Sequence, residues 1–463
     1  MFSYNKMKKK RFYIITMGCQ MNAYDSEQME RLLSAMDYLP ASRPEKADLI
    51  LLNTCSIRQK PEHKVFSHLG RLAQMKQKHP GMIIGVGGCV AQQEKHRLLK
   101  RAPHVDIVFG TSAIGRLQTL VREVEKSRTQ MVDVEGAPTS EPPVIKPLPT
   151  REKRATGFVT IMSGCDNFCA YCVVPYVRGR EVSRKPDNIL TEIKYLVASG
   201  VREVTLLGQN VNSYGRKNGH GSDFPALLEA TDKVKGLKRI RFTTSHPKDL
   251  SERLVGAFAR IEKLTPHIHL PVQCGSDRIL KRMNRGYNKD LYLRKIDALR
   301  QVRPKIGITT DIIVGFPGET RQDFEKTLDL VKSVRFDNLF AFKYSDRPDV
   351  PSAKFSKKID KMEKKERLAE VLEIQSKITL DKYKALVGTW QEVLVEGLSK
   401  KGDDQLTGHT PCNKIVNFVD DRVRIGQVAP VKIVEAFSHS LLGQPKERRG
   451  ESPRKKGGLL HAA

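Results

Sequence analysis

From residue 11 onward, short unbroken apolar runs alternate with longer segments whose apolar positions recur every three or four residues. The runs are Phe12-Tyr13-Ile14-Ile15-Thr16, Asp48-Leu49-Ile50-Leu51-Leu52, Met82-Ile83-Ile84-Gly85-Val86 and Val105-Asp106-Ile107-Val108-Phe109. The segments between them predict amphipathic helices over 25–39 and 60–78, with Asp25 as N-cap of the first. Strands that are apolar on both faces and separated by helices predict a doubly wound parallel α/β domain over residues 11–128. Residues 129–150, with Pro142, Pro143, Pro147 and Pro149, predict a linker. A second alternation fills 151–384, with strands expected at 157–162, 203–208, 239–244, 267–271, 307–314 and 338–344 and a charged helix over 357–385. These β/α units fall short of the eight of a closed barrel, so a partial (β/α)6 barrel is expected. Short strands with glycine turns over 385–446 predict a small OB-like β-barrel, and the basic stretch 447–463 predicts a disordered tail. The fold class is thus multidomain α/β with a C-terminal β-barrel.

Chemistry enters with the cysteines. Cys165, Cys169 and Cys172 follow the apolar run 158–162 at C-x3-C-x2-C spacing. Three thiolates hold three irons of a 4Fe-4S cluster and leave the fourth iron open. A zinc knuckle or buried core thiols are the plainer readings, but zinc wants a fourth Cys or His at finger-like distance, and the following dozens of residues lack one. Cys19, Cys55 and Cys89 each stand at the C-terminal end of a predicted strand, one β/α unit apart. In open α/β sheets such ends share one edge, where ligands bind, so three thiols are expected to converge there. Isolated intracellular cysteines are usually buried hydrophobes, and that reading stands beside this one.

Lys and Arg number 81 against 52 Asp and Glu, a formal net charge of +29. An excess of that size favours a polyanionic partner over a merely solvated surface. Eight cysteines in 463 residues do not suggest a disulfide scaffold. Residues 12–17 are too short for a signal segment and no apolar run reaches membrane-spanning length, so a cytoplasmic protein without membrane contact is expected.

The cysteine-bearing segments Met17-Gly18-Cys19-Gln20-Met21-Asn22, Asn53-Thr54-Cys55-Ser56-Ile57-Arg58 and Gly87-Gly88-Cys89-Val90-Ala91 resemble the N-terminal domain of the radical S-adenosylmethionine (SAM) methylthiotransferases. The resemblance extends through Val173-Val174-Pro175-Tyr176, Leu207-Gly208-Gln209-Asn210-Val211-Asn212, Thr244-Ser245-His246-Pro247, Leu270-Pro271-Val272-Gln273 and Asp311 to Thr320, and covers roughly residues 11–445. The segment from Asn53 to Arg58 is similar to the branch acting on isopentenyladenosine in tRNA, and the C-terminal barrel resembles a TRAM domain. Cys274 stands where the family usually has serine and Met17 where it has an aromatic; Cys412 is read as inert.

The resemblance implies two 4Fe-4S clusters, one on Cys165, Cys169 and Cys172 and an auxiliary one on Cys19, Cys55 and Cys89. It implies SAM both as methyl donor and as radical source, and addition of a methylthio group to C2 of N6-isopentenyladenosine beside the anticodon, at tRNA position 37. Tyr171, Gln209, Asn210, Asn212, Gln273 and Asp311 are the expected SAM contacts. Arg178, Arg180, Lys400, Lys401, Lys414, Arg422 and Arg424 are the expected RNA contacts. A reductant such as flavodoxin or ferredoxin and a sulfur donor system are the further partners implied. The alternatives are an enzyme of the same chemistry acting on threonylcarbamoyl-adenosine in tRNA or on a ribosomal protein, and a non-catalytic Fe-S or zinc protein that binds RNA.

Overall fold

A computed structural model describes residues 9–56, 59–135, 154–217, 221–399 and 404–446. The chain divides into two compact units, Met1–Ile378 and Thr379–Ala463. The first opens with β1 (Arg11–Thr16), α1 (Gln20–Ser34), β2 (Leu39–Pro40), β3 (Leu49–Thr54), α2 (Gln59–Lys78) and β4 (Ile83–Gly88). It continues through α3 (Cys89–Glu94), α4 (His96–Arg101), β5 (Ile107–Phe109), α5 (Leu117–Ser127) and β6 (Met131–Asp133). The strands form one parallel sheet in the order β2-β1-β3-β4-β5-β6. Burial on both faces is written into β3: Leu49 and Leu51 pack under α1 and α5, whereas Ile50 and Leu52 pack under α2 and α4.

Two local expectations are corrected. Helix α1 begins at Gln20 with Cys19 as its N-cap, closed by Asn22 in a capping box. Asp25 is therefore not a cap; it lies inside the helix, buried, with its carboxylate bonded to Arg178. Residues 131–133 form the edge strand β6 within the stretch read as a linker, because their register with β5 satisfies an otherwise open sheet edge. The rest of that stretch from 136, like the tail 447–463, lies outside the described residues.

The barrel region comprises β7 (Thr156–Thr160), β8 (Met162–Ser163), α6 (Val174–Val177), β9 (Val182–Ser183), α7 (Pro186–Ala198), β10 (Glu203–Leu207), α8 (Phe224–Asp232) and β11 (Arg239–Phe242). After these come α9 (Glu252–Arg260), β12 (His267–His269), α10 (Asp277–Arg282), α11 (Lys289–Val302), β13 (Gly307–Val314), α12 (Arg321–Val334), β14 (Asn338–Lys343) and α13 (Lys361–Lys384). Its principal strands lie where the apolar runs predict them. They form two parallel three-stranded sheets, β11-β10-β7 and β12-β13-β14. A parallel bridge from Ile240 to Leu264 lies where the halves meet, and one apolar cluster runs through both. The short pair β8–β9 brackets the Cys165 to Cys172 loop.

In the second unit β15 (Trp390–Leu398), β16 (Leu406–His409), β17 (Ile415–Phe418), β18 (Val428–Ala436) and β19 (Leu441–Pro445) close a barrel in the order β15-β16-β17-β19-β18. Val393, Val395, Val416, Phe418, Val431 and Ile433 fill its interior. Closure leaves the sheet without open edges. Among the described residues no helix is long and apolar enough to cross a membrane.

Helix α1 also docks the N-terminal sheet onto the barrel region. Met21 and Tyr24 pack with Leu207 and Phe158. Beside them the buried Glu192 accepts from Arg184 at 2.8 Å and from the Tyr24 hydroxyl at 3.3 Å, and lies 3.6 Å from Arg31. Removing this carboxylate leaves buried guanidinium groups uncompensated, a loss of about 3–5 kcal/mol. Glu192→Ala is therefore expected to lower stability by that order in urea denaturation, while Glu192→Gln, which keeps an acceptor, falls less.

Candidate functional site

Cys19, Cys55 and Cys89 follow the C-terminal ends of the neighbouring strands β1, β3 and β4, and so meet at one sheet edge. The approach is close enough to require glycine. A Cβ on Gly18, whose φ is +135°, would stand 2.4 Å from the Cys55 Cβ; one on Gly88, at φ +92°, would stand 2.4 Å from the Thr54 carbonyl oxygen. A buried amide lattice holds the three loops. Asn22 Nδ2 donates to Asn53 Oδ1 at 2.9 Å and to the Thr54 carbonyl at 3.0 Å, and Asn53 Nδ2 donates to the Asn22 carbonyl at 2.8 Å and to Ser26 at 2.9 Å. Thr54 Oγ1 donates to the Gly87 carbonyl at 2.6 Å. Cys55 and Cys89 are buried and Cys19 is exposed, so the group has one open side. The Cys19 thiol falls to about 6, first through its hydrogen bond with Cys55 and then through the nearby Arg178 charge, against partial desolvation by the surrounding loops, whereas burial raises Cys89.

Cys165, Cys169 and Cys172 share a loop threaded between β8 and α6. The Cys165 amide donates to the Gly179 carbonyl at 3.2 Å and the Ala170 amide to the Met283 carbonyl at 2.9 Å, which pins the loop at both ends. Burial lifts Cys165 to about 11 and Cys172 to about 12, with the other cysteines of the loop adding in the same direction. Two residues that sequence reasoning missed stand against Cys169. Arg285 Nη1 donates to its sulfur at 3.3 Å, and His246 Nε2 lies 3.9 Å away, held neutral by burial and by the Arg285 charge. The motif Thr244-Ser245-His246-Pro247 carried the signal for His246; Arg285 had none, because its approach depends on tertiary packing.

The two groups are tied by the residues just past Cys172. Helix α6 packs against α3, Val173 and Val177 share a small core cluster with Cys89, and Thr111 Oγ1 donates to the Val177 carbonyl at 2.8 Å. Arg178 ends α6, buried, donating to Asp25 at 2.7 Å and placing its charge near Cys89 and Cys19. This corrects its reading as an RNA contact, since its side chain is spent in the interior. Arg180, by contrast, is exposed, pairs with Asp166 at 3.0 Å and covers the Phe168 ring. In the second unit Arg422 pairs with Asp420 at 2.8 Å and Arg424 is exposed, but Lys414 is buried over the Tyr383 ring, which removes it from the RNA-facing set. Lys400 and Lys401 lie outside the described residues.

Of the expected SAM contacts, Gln209, Asn210 and Asn212 gather at the end of β10 beside His246. Asn210 is already committed, donating to Asp249 at 2.7 Å and accepting from the His246 amide at 3.1 Å, so it braces the loop. Gln209 Oε1, Asn212 Oδ1 and Ser245 Oγ are buried without a protein partner. Such orphaned atoms are costly unless a ligand satisfies them. Tyr171 accepts from Arg285 at 3.3 Å; Gln273 is buried at φ +73°; Asp311 lies 3.5 Å from His269. Cys274 is a small buried side chain facing Thr327.

Among the described residues no group of three His, Cys, Asp or Glu side chains is arranged around a single metal ion. A cluster makes a different demand, because each thiolate binds its own iron. Two sets of three neighbouring thiols, one touched by the buried Arg285 and the other under the charge of the buried Arg178, fit that demand, and the orphaned amides and hydroxyl fit a polar ligand beside Cys169.

Comparison with known proteins agrees along the chain. Residues 11–110 match the uncharacterized protein family UPF0004, 159–331 the Radical SAM superfamily and 384–446 the TRAM domain. A protein of Desulfosudis oleivorans named tRNA-2-methylthio-N(6)-dimethylallyladenosine synthase is 51% identical over 94% of this chain and 96% of its own. Proteins of the same name from Syntrophus aciditrophicus and Geobacter sulfurreducens are 50% and 48% identical over 95% and 96% of this chain, and over 95% and 99% of their own. A solved radical S-adenosylmethionine methyltransferase, TsrM from Kitasatospora setae, with a [4Fe-4S] cluster bound, shares the fold at TM-score 0.55 and 13% identity over 75% of this chain and 74% of its own. This protein belongs to the family of the tRNA-2-methylthio-N(6)-dimethylallyladenosine synthases, within the Radical SAM superfamily.

Proposed function

We propose that this enzyme adds a methylthio group to C2 of N6-isopentenyladenosine (the dimethylallyl nucleoside of its relatives' name) beside the anticodon of tRNA. The observation that carries the reading is the pair of cysteine triads joined through the residues that follow Cys172, in a chain aligned nearly end to end with those relatives. Superfamily membership implies SAM and a 4Fe-4S cluster. Cys165, Cys169 and Cys172 are the residues to hold that cluster, and Cys19, Cys55 and Cys89 those to hold a second. Bound there, the first cluster with SAM supplies the radical that activates C2, and the second supplies the sulfur.

The protein's own part is placement. Arg285 and His246 fix the Cys169 side of the loop, a cation donating to the sulfur and a neutral ring that adds no charge. Gln209, Asn212 and Ser245 offer their unpartnered atoms to the amino, carboxylate and ribose groups of SAM, with Tyr171, held by Arg285, as a further contact. Arg180, Arg422 and Arg424, with Lys400 and Lys401, are proposed to meet RNA phosphates, which gives salt-sensitive binding. A base in an anticodon loop is already single-stranded, so presenting it to the site costs little. A cytoplasmic setting, a flavodoxin or ferredoxin as reductant and a dedicated sulfur donor complete the proposal.

Anaerobic assays with isopentenylated tRNA test it. Cys169→Ala is expected to abolish both 5′-deoxyadenosine formation and methylthiolated product. The variant with Cys19, Cys55 and Cys89 all changed to Ala is expected to keep 5′-deoxyadenosine formation and lose the product; product from that variant contradicts the reading. Asn212→Ala, which deletes one hydrogen-bonding group, is expected to weaken SAM binding by about 3- to 10-fold in equilibrium titration.

A further inference from the structure

We propose that Arg178 is the fixed counter-charge of the second cluster, held in place by Asp25, and that it sets how readily that centre is reduced. The inference rests on the reading of Cys19, Cys55 and Cys89 as ligands of one cluster. Three thiolates around four irons and four sulfides make a negatively charged body, and reduction adds one more negative charge to it. The potential of such a centre follows net charge, hydrogen bonds to sulfur and exposure. Arg178 acts on the first of these. Its neighbour Val177 packs against Cys89, its partner Asp25 sits in the helix that Cys19 caps, and its charge acts on both thiols. Because the side chain is buried, with 6% of its surface exposed, water screens that charge little.

Asp25 explains why the cation stays there. It reaches Arg178 at 2.7 Å from inside α1, the helix that Cys19 caps, so the cation is anchored to a ligand-bearing element of the second centre. The planar fork of arginine leaves N–H groups beyond the one that binds the carboxylate; a lysine ammonium keeps the charge but not that geometry. Arg178 also closes the short helix that begins two residues after Cys172. The loop that carries the first triad is therefore the loop that delivers the cation to the second. Arg178 is thus a positioning and tuning residue, in no contact with SAM or RNA that the proposal requires.

The test uses the full chain with Cys165, Cys169 and Cys172 changed to Ala, reconstituted anaerobically so that only the second centre can load. Iron content and visible absorbance report whether it is loaded, and an EPR-monitored redox titration reports its potential. Arg178→Gln is expected to move the potential to a more negative value. Asp25→Asn combined with Arg178→Gln keeps a neutral hydrogen-bonded pair in the interior, so it guards against misfolding, and it is expected to shift the potential in the same direction but by less, because the opposing charge of Asp25 is removed with the cation. Arg178→Lys is expected to stay nearer the parent. A potential unchanged in the Gln variants with iron retained overturns the proposal, as does a Lys variant shifted as far as Arg178→Gln. If the parent itself takes up no iron, the cluster reading of Cys19, Cys55 and Cys89 fails, and the proposal with it.

Discussion

The guanidinium of Arg178 lies where three demands of the structure meet. It neutralises Asp25 inside α1, its charge acts on the thiols at the edge of the N-terminal sheet, and it ends the helix that leads out of the other cysteine loop. Burying a charge is costly unless it is paired and hydrogen-bonded, and here each partner fixes the other. Much follows from that constraint. The N-terminal sheet has to sit against the barrel region with its strand ends turned toward α6, and the Glu192 cluster against Tyr24 and Arg31 of α1 holds the same orientation.

The large-scale plan was legible because it depends on local pattern. Unbroken apolar runs such as 49–52 are buried on both faces, and that alone calls for helices on both sides of a parallel sheet. The convergence of Cys19, Cys55 and Cys89 was legible for a related reason, since parallel strands place all their C-terminal ends on one edge. The small barrel could be read from short strands and glycine turns, although two of its strands, 406–409 and 441–445, carried too little apolar signal to be seen.

What escaped the sequence was pairing over distance. Asp25 looks like a cap because acids favour helix starts, yet its partner lies 153 residues away and the helix begins earlier at Cys19. Arg178 and Lys414 look like surface cations in any list of basic residues, and both are buried. Arg285 has no motif around it, and it reaches Cys169 from 116 residues further along the chain. Charge on a sequence says nothing about the side to which it turns. The residues that tune a site are for this reason harder to read than those that ligate within it. The buried amide lattice of Asn22 and Asn53 makes the same point: both stand beside cluster-motif cysteines in sequence, but their task is to hold three loops together.

The central claim is that this chain, through two thiol-bound centres, completes the modification of isopentenyladenosine in tRNA. Nucleoside mass spectrometry of tRNA from a strain lacking the chain, with and without complementation by it, tests that claim most directly. 2-Methylthio-N6-isopentenyladenosine is expected to vanish, N6-isopentenyladenosine to accumulate, and complementation to reverse both. Unchanged levels of those two nucleosides, with loss of a methylthio group from threonylcarbamoyl-adenosine or from a ribosomal protein instead, would contradict it.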